Sequence, residues 1–84
     1  MNLKKAVAER LSQILRERSL TQYALYKISG VPQSTISTIL NGDIKTIKLS
    51  TLHDICVGLG INLSDFFATD SLKNHSLKNQ HETD

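Results

Sequence analysis

Residues 30 to 42 read GVPQSTISTILNG, and the spacing of their apolar members decides the fold. Val31, Ile36, Ile39 and Leu40 recur at helical intervals and mark one buried face, while Gln33, Ser34, Thr35, Ser37 and Thr38 take the rest of the surface. A merely solvated face normally carries Glu and Lys, which favour the helix. Ser and Thr instead cost helix propensity and compete for backbone hydrogen bonds. Short side chains that both donate and accept suit a face that lies close against something polar. Pro32 falls at the first helical position, where the amide it lacks would be unpaired anyway. Asn41-Gly42 supplies the stop.

The segments on either side are read in the same way. Residues 2 to 18 place Leu3, Val7, Leu11, Ile14 and Leu15 on one stripe of an amphipathic first helix with Asn2 as its cap. Thr21 caps a second, two-turn helix whose inward positions are Leu25 and Ile28, and Gly30 ends it. After a loop over residues 43 to 48, Leu49, Leu52, Ile55, Cys56 and Leu59 define a fourth helix ended by Gly60. Asn62 with Asp65 three residues on forms a capping-box start to a short fifth helix presenting Leu63, Phe66 and Phe67. No alternating strand pattern competes, and the expected fold is all-α. From Thr69 the chain turns polar and repeats SLKN at 71 to 74 and 76 to 79, so the domain is expected over residues 1 to 68 with a frayed tail over 69 to 84.

Composition narrows the function classes. At 84 residues, 39% hydrophobic and 21% charged, the chain has material for one small core. The lone Cys56 rules out an internal disulfide, and no run approaches the roughly 20 apolar residues of a membrane span. A cytoplasmic address is expected. Residues 1 to 69 carry eight Lys or Arg against five Asp or Glu, a net +3. A general basic coat would need more, so a grip on nucleic acid must come from a few placed groups and from doubling by dimerisation. His53 and Cys56 stand three apart on a helix, a spacing that can hold metal. With no second Cys, and with His75 and His81 in the tail, Cys56 is read as core and His53 as surface. No arrangement of Ser, His and Asp or of paired carboxylates has catalytic surroundings, so neither an enzyme nor a cofactor is expected.

The order Thr21-Gln22, Leu25, Gly30-Val31, Gln33-Ser34-Thr35-Ile36-Ser37, Ile39, Asn41-Gly42 resembles the Xre/Cro family of phage-repressor-type helix-turn-helix regulators over residues 3 to about 68. The resemblance implies a five-helix, lambda-repressor-like prokaryotic DNA-binding domain with the helix-turn-helix at the second and third helices. It implies a third helix that reads the major groove, whose width of about 12 Å admits one helix and whose base edges differ in donors and acceptors. Gln33, Ser34 and Thr38 are then expected to read bases. Gln22, Thr35, Ser37, Asn41, Lys45 and Lys48 are expected at phosphates, which position a protein without carrying sequence information.

The chain departs from the family pattern at two places. Tyr26 stands where relatives carry a small residue, so either the helix crossing opens or the ring turns outward. Leu15 and Leu40 replace a frequent Arg and Glu, and are expected to touch as an apolar pair. The expected function is a sequence-specific transcriptional repressor, a homodimer joined through Leu63, Phe66 and Phe67 on a palindromic operator in double-stranded DNA. The alternatives are an antitoxin or adaptor whose main partner is another protein, and an interaction module that has lost DNA binding.

Overall fold

The computed structural model describes residues 3–43 and 45–68. Within them five helices follow one another, α1 Leu3–Glu17, α2 Gln22–Ser29, α3 Gln33–Leu40, α4 Leu49–Leu59 and α5 Leu63–Phe66, with no strand. The all-α, five-helix reading therefore holds. The Asn2 cap and the polar tail lie outside the described residues.

The termini are set by the local chemistry the sequence advertises. Thr21 accepts the Ala24 amide at 3.0 Å to open α2. In the capping box of α5, Asn62 Oδ1 accepts the Asp65 amide at 2.7 Å while Asp65 Oδ2 accepts the Asn62 amide at 3.3 Å. Gly30 ends α2 at φ 77°, a left-handed conformation that costs an L side chain roughly 1–2 kcal/mol. Pro32 differs from expectation: at φ −55° and ψ 143° it is the residue before α3, and Gln33 is the first helical one.

One core joins all five helices. Val7, Leu11, Ile14 and Leu15 of α1 meet Leu25, Ile36 and Ile39 of the next two helices, Val31 of the turn between those two, and Leu52, Ile55, Cys56, Leu59 and Phe66 of the last two. Each large member contributes about 1.5–3 kcal/mol by leaving water. Leu40 packs on the edge of the cluster that contains Leu15. α1 rests on α3 and α2 on α4. The second contact is very close: a Cβ added to Gly58 would sit 2.8 Å from the Ile28 carbonyl oxygen and 2.8 Å from Ser29 Cα.

Four apolar positions are not where their spacing places them. Ile28 is 47% exposed, because α4 meets the backbone of α2 at that level and the side chain projects past it. Leu49, at 65%, and Leu3 are the first residues of their helices and overhang the core. Phe66, expected at a dimer interface, is 0% exposed and belongs to the domain's own core, so its side chain is closed to a partner. Leu63 and Phe67 are half-buried beside it, with the Phe66 and Phe67 rings edge to face at 5.2 Å.

Two arginines tie distant elements together. From α1, Arg10 donates through Nε to the Phe66 carbonyl at 2.6 Å and through Nη2 to that of Asp65 at 2.8 Å. Arg18 donates to the Leu59 carbonyl. Both satisfy carbonyls at helix C-termini, where cations are also favoured by the dipole.

Candidate nucleic-acid interface

The turn between α2 and α3 is fixed by its own polar groups. Ser29 Oγ donates to the Leu25 carbonyl at 2.6 Å and accepts the Val31 amide at 3.1 Å, while the Gly30 amide donates to Tyr26 O at 2.8 Å. Val31 is buried immediately after. These contacts hold α3 at a set angle to α2, with Ile36 and Ile39 anchoring it from behind at 0% and 1% exposure.

The outer face of α3 carries the amide and hydroxyl groups that the sequence placed there. Gln33 and Ser34 are exposed, and Thr35, Ser37 and Thr38 are half-buried. Ser34, Thr35 and Thr38 form one wall of an open groove of about 390 Å³ whose other wall is Thr46, Lys48 and Thr51. No sequence pattern marks Thr46 and Thr51 for this groove. They lie 8 or more positions beyond Thr38, and only the tertiary fold, with α2 holding both α3 and α4, brings them into the groove.

Two features favour an anion at the groove. Lys48 lines it and Lys45 is exposed in the same loop. In addition, neither Pro32 before α3 nor Lys48 before α4 makes a side-chain capping bond. No side-chain cap therefore occupies the leading amides of either helix, and the positive end of each dipole favours an anion.

Other expected site residues lie outside the groove. Gln22 is exposed as the first residue of α2, beside the Thr21 cap. Ser37 is half-buried and does not line the groove. Asn41 lines a separate cleft with Lys5, Ser12 and Arg16, and its amide donates to Ser37 O at 2.9 Å. The Tyr26 ring has turned outward, 38% exposed, and lies 6.0 Å from the Tyr23 ring, so the α2 to α3 crossing is not forced apart. Cys56 is buried, and burial, helped by the Asp65 carboxylate, pushes its thiol pKa up from the ordinary 9.0. His53 is exposed. The described residues contain no group of three or more His, Cys, Asp and Glu that could hold a metal, and no helix long and apolar enough to cross a membrane.

The arrangement is a helix-turn-helix with a polar outer face beside Lys48, and the family model for the Cro/C1-type HTH DNA-binding domain matches residues 10–70. The chain belongs to that family. Like other Cro/C1-type chains it is a DNA-binding domain of the kind found in transcription regulation. Among solved structures it is similar to an HTH_3 family transcriptional regulator from Vibrio cholerae, at 30% identity and a TM-score of 0.75 over 80% of this chain. It is also similar to the prophage Lp1 protein 11, at 28% identity and a TM-score of 0.70, covering 80% of this chain and 88% of that one. The Cro/C1-type chain spans 37% of the length of the Vibrio cholerae regulator. No curated protein matches it.

Proposed function

We propose that the chain is a sequence-specific repressor of transcription that lays α3 in the major groove of double-stranded DNA, as a homodimer on a palindromic operator. The observation that carries this reading is the division of α3 into two edges. Ile36 and Ile39 are sealed into the core behind, and Gln33, Ser34 and Thr38 stand in front beside a groove flanked by Lys48. Gln33 and Ser34, in the first turn of α3, read bases, and Thr38 reads one turn later. Gln33 is the strongest reader, since its amide can pair with adenine N6 and N7 for about 1–3 kcal/mol of discrimination.

Thr35 and Lys48 in the groove and Lys45 beside it take phosphates on one side. Gln22 at the start of α2 takes another on the other side. Ser37 and Asn41, further round α3, complete the backbone contacts. These groups position the domain and carry no sequence information. The few cations available make one copy a weak binder, so a second copy is required. Leu63 and Phe67, half-buried against the core at α5, are the apolar groups that offer a surface there.

The test is a titration of purified protein against random and selected duplexes at several salt concentrations. Affinity should fall steeply with salt, and selection should return a palindrome with half-sites about one helical turn, about 34–36 Å, apart. A protein that ignores every duplex at low ionic strength would be an interaction module and not a repressor. One that binds a single asymmetric half-site would not be this homodimer.

A further inference from the structure

Thr38 differs from the other polar residues of α3 in what its hydroxyl is already doing. Its Oγ1 lies 2.7 Å from the Ser34 carbonyl oxygen one turn back. A carbonyl can only accept, so the single hydroxyl proton of Thr38 is committed to that bond. The distance is that of an ordinary O–H···O hydrogen bond. Toward the groove, Thr38 is left with oxygen lone pairs and a methyl group. Ser34, on the same face, makes no side-chain hydrogen bond among the described residues, and its hydroxyl can turn to donate or accept.

We infer that Thr38 reads the single base nearest its side chain as an acceptor and a methyl group, never as a donor, and thereby selects against guanine on that strand at that position. This rests on the proposed placement of α3 in the major groove. There, adenine N6 and cytosine N4 offer donors that an acceptor can use, and thymine offers its methyl group to an apolar contact. Guanine offers only N7 and O6, both acceptors. Against the lone pairs of Thr38 these meet electron pair on electron pair. Relieving that clash would require the hydroxyl to abandon Ser34 and leave the carbonyl without this bond.

The test is selection of bound duplexes from a random pool by the wild-type chain and by Thr38→Val and Thr38→Ser, followed by titration of single-base variants of the selected site. Valine keeps the branched shape and a methyl group but has no lone pairs. Serine keeps the hydroxyl and its back-bond but loses the methyl group. The position under Thr38 is the one whose preference responds to Thr38→Val. There the wild type should bind guanine about fivefold more weakly than adenine, the low end of the cost of a mismatched base. The ratio should fall below about twofold for Thr38→Val. Thr38→Ser should retain the bias against guanine and lose any preference for thymine.

A wild-type preference for guanine at that position overturns the inference, and so does the absence of any position that responds to Thr38→Val. Both outcomes leave α3 as the reading helix. Failure of the wild type to bind any duplex overturns the placement of α3 itself. Far-ultraviolet circular dichroism melts of both variants, expected within a few degrees of the wild type, separate lost recognition from lost folding.

Discussion

Gly58→Ala is the substitution in which the packing of this domain can be measured most directly. Taken alone, an alanine inside α4 should stabilise the helix by about 1 kcal/mol, because glycine loses more backbone freedom on folding. The structure reverses that sign. The new Cβ would stand 2.8 Å from the carbonyl oxygen of Ile28, and ordinary contact begins at 3.4 Å, so α2 and α4 must separate by about 0.6 Å. The obstructing atoms are backbone, and no rotamer change can clear them. Overpacking of this kind costs about 1–3 kcal/mol, and an unyielding neighbour places it at the upper end.

After the helical gain is subtracted, a net loss of about 1–2 kcal/mol remains. For a domain of this size that corresponds to a melting temperature lower by about 4–16 °C, read by circular dichroism. Since α2 carries the turn into α3, affinity for a selected duplex should fall as well. A control separates this mechanism from a general weakening. Ile28 is 47% exposed, and only its backbone meets Gly58, so Ile28→Ala should leave the defect in place. A Gly58→Ala protein that melts at or above the wild-type temperature, or one rescued by Ile28→Ala, would refute the reasoning.

Gln33→Ala should relax the base preference of a selected site at one position, by about 1–3 kcal/mol, while Lys48→Ala should weaken all duplexes alike and lower the salt dependence by about one unit of slope. Titrations against matched and mismatched duplexes decide this, and equal loss on every sequence from both variants would refute the division between reading and positioning. Arg10→Met keeps the apolar stem but removes the donors to the Phe66 and Asp65 carbonyls. It should cost about 1 kcal/mol, seen as a denaturation midpoint shifted with no change in slope, and an unmoved midpoint would show that water replaces the guanidinium without loss. Cys56, with its thiol pKa raised by burial and by Asp65, should resist alkylation in the folded protein at pH 8 and react readily in denaturant. Below pH 9.0, its ordinary value, both states keep the proton and stability is unaffected. Above it the unfolded thiol ionises first, so stability should decline as pH rises, and a Cys56→Ala protein should lack that component of the decline.

Much of the domain was legible because local chemistry and tertiary structure agree. The caps at Thr21 and Asn62 and the stops at Gly30 and Gly60 act over three or four residues, and each sits where the sequence placed it. The buried edge of α3 follows from the 3.6-residue period, which fixes Ile36 and Ile39 on one side whatever they pack against. The polar edge follows for the same reason. Periodicity gives a side of a helix and not the depth of its neighbour, and so Ile28 and Leu49 have inward spacing and are nonetheless exposed. Phe66 is the converse case. On a four-residue helix nothing in the spacing tells a core ring from an interface ring, and the expected contact of Phe66 with a partner is excluded by its 0% exposure.

The sequence by itself determined that the chain forms short helices in a known order, with a turn of fixed chemistry before a helix whose polar edge has no use in a core. These are properties of residues within a few positions of one another, and the backbone hydrogen bonds that express them are local. Only the tertiary structure decided that Thr46, Lys48 and Thr51 share a groove with Ser34 and Thr38, and that Arg10 reaches the carbonyls 55 and 56 residues away. It alone also decided that Gly58 lets α2 and α4 touch backbone to side-chainless backbone. Such contacts depend on how far apart two helix axes lie, a distance fixed by the packing of the whole core and written in no single stretch of the chain.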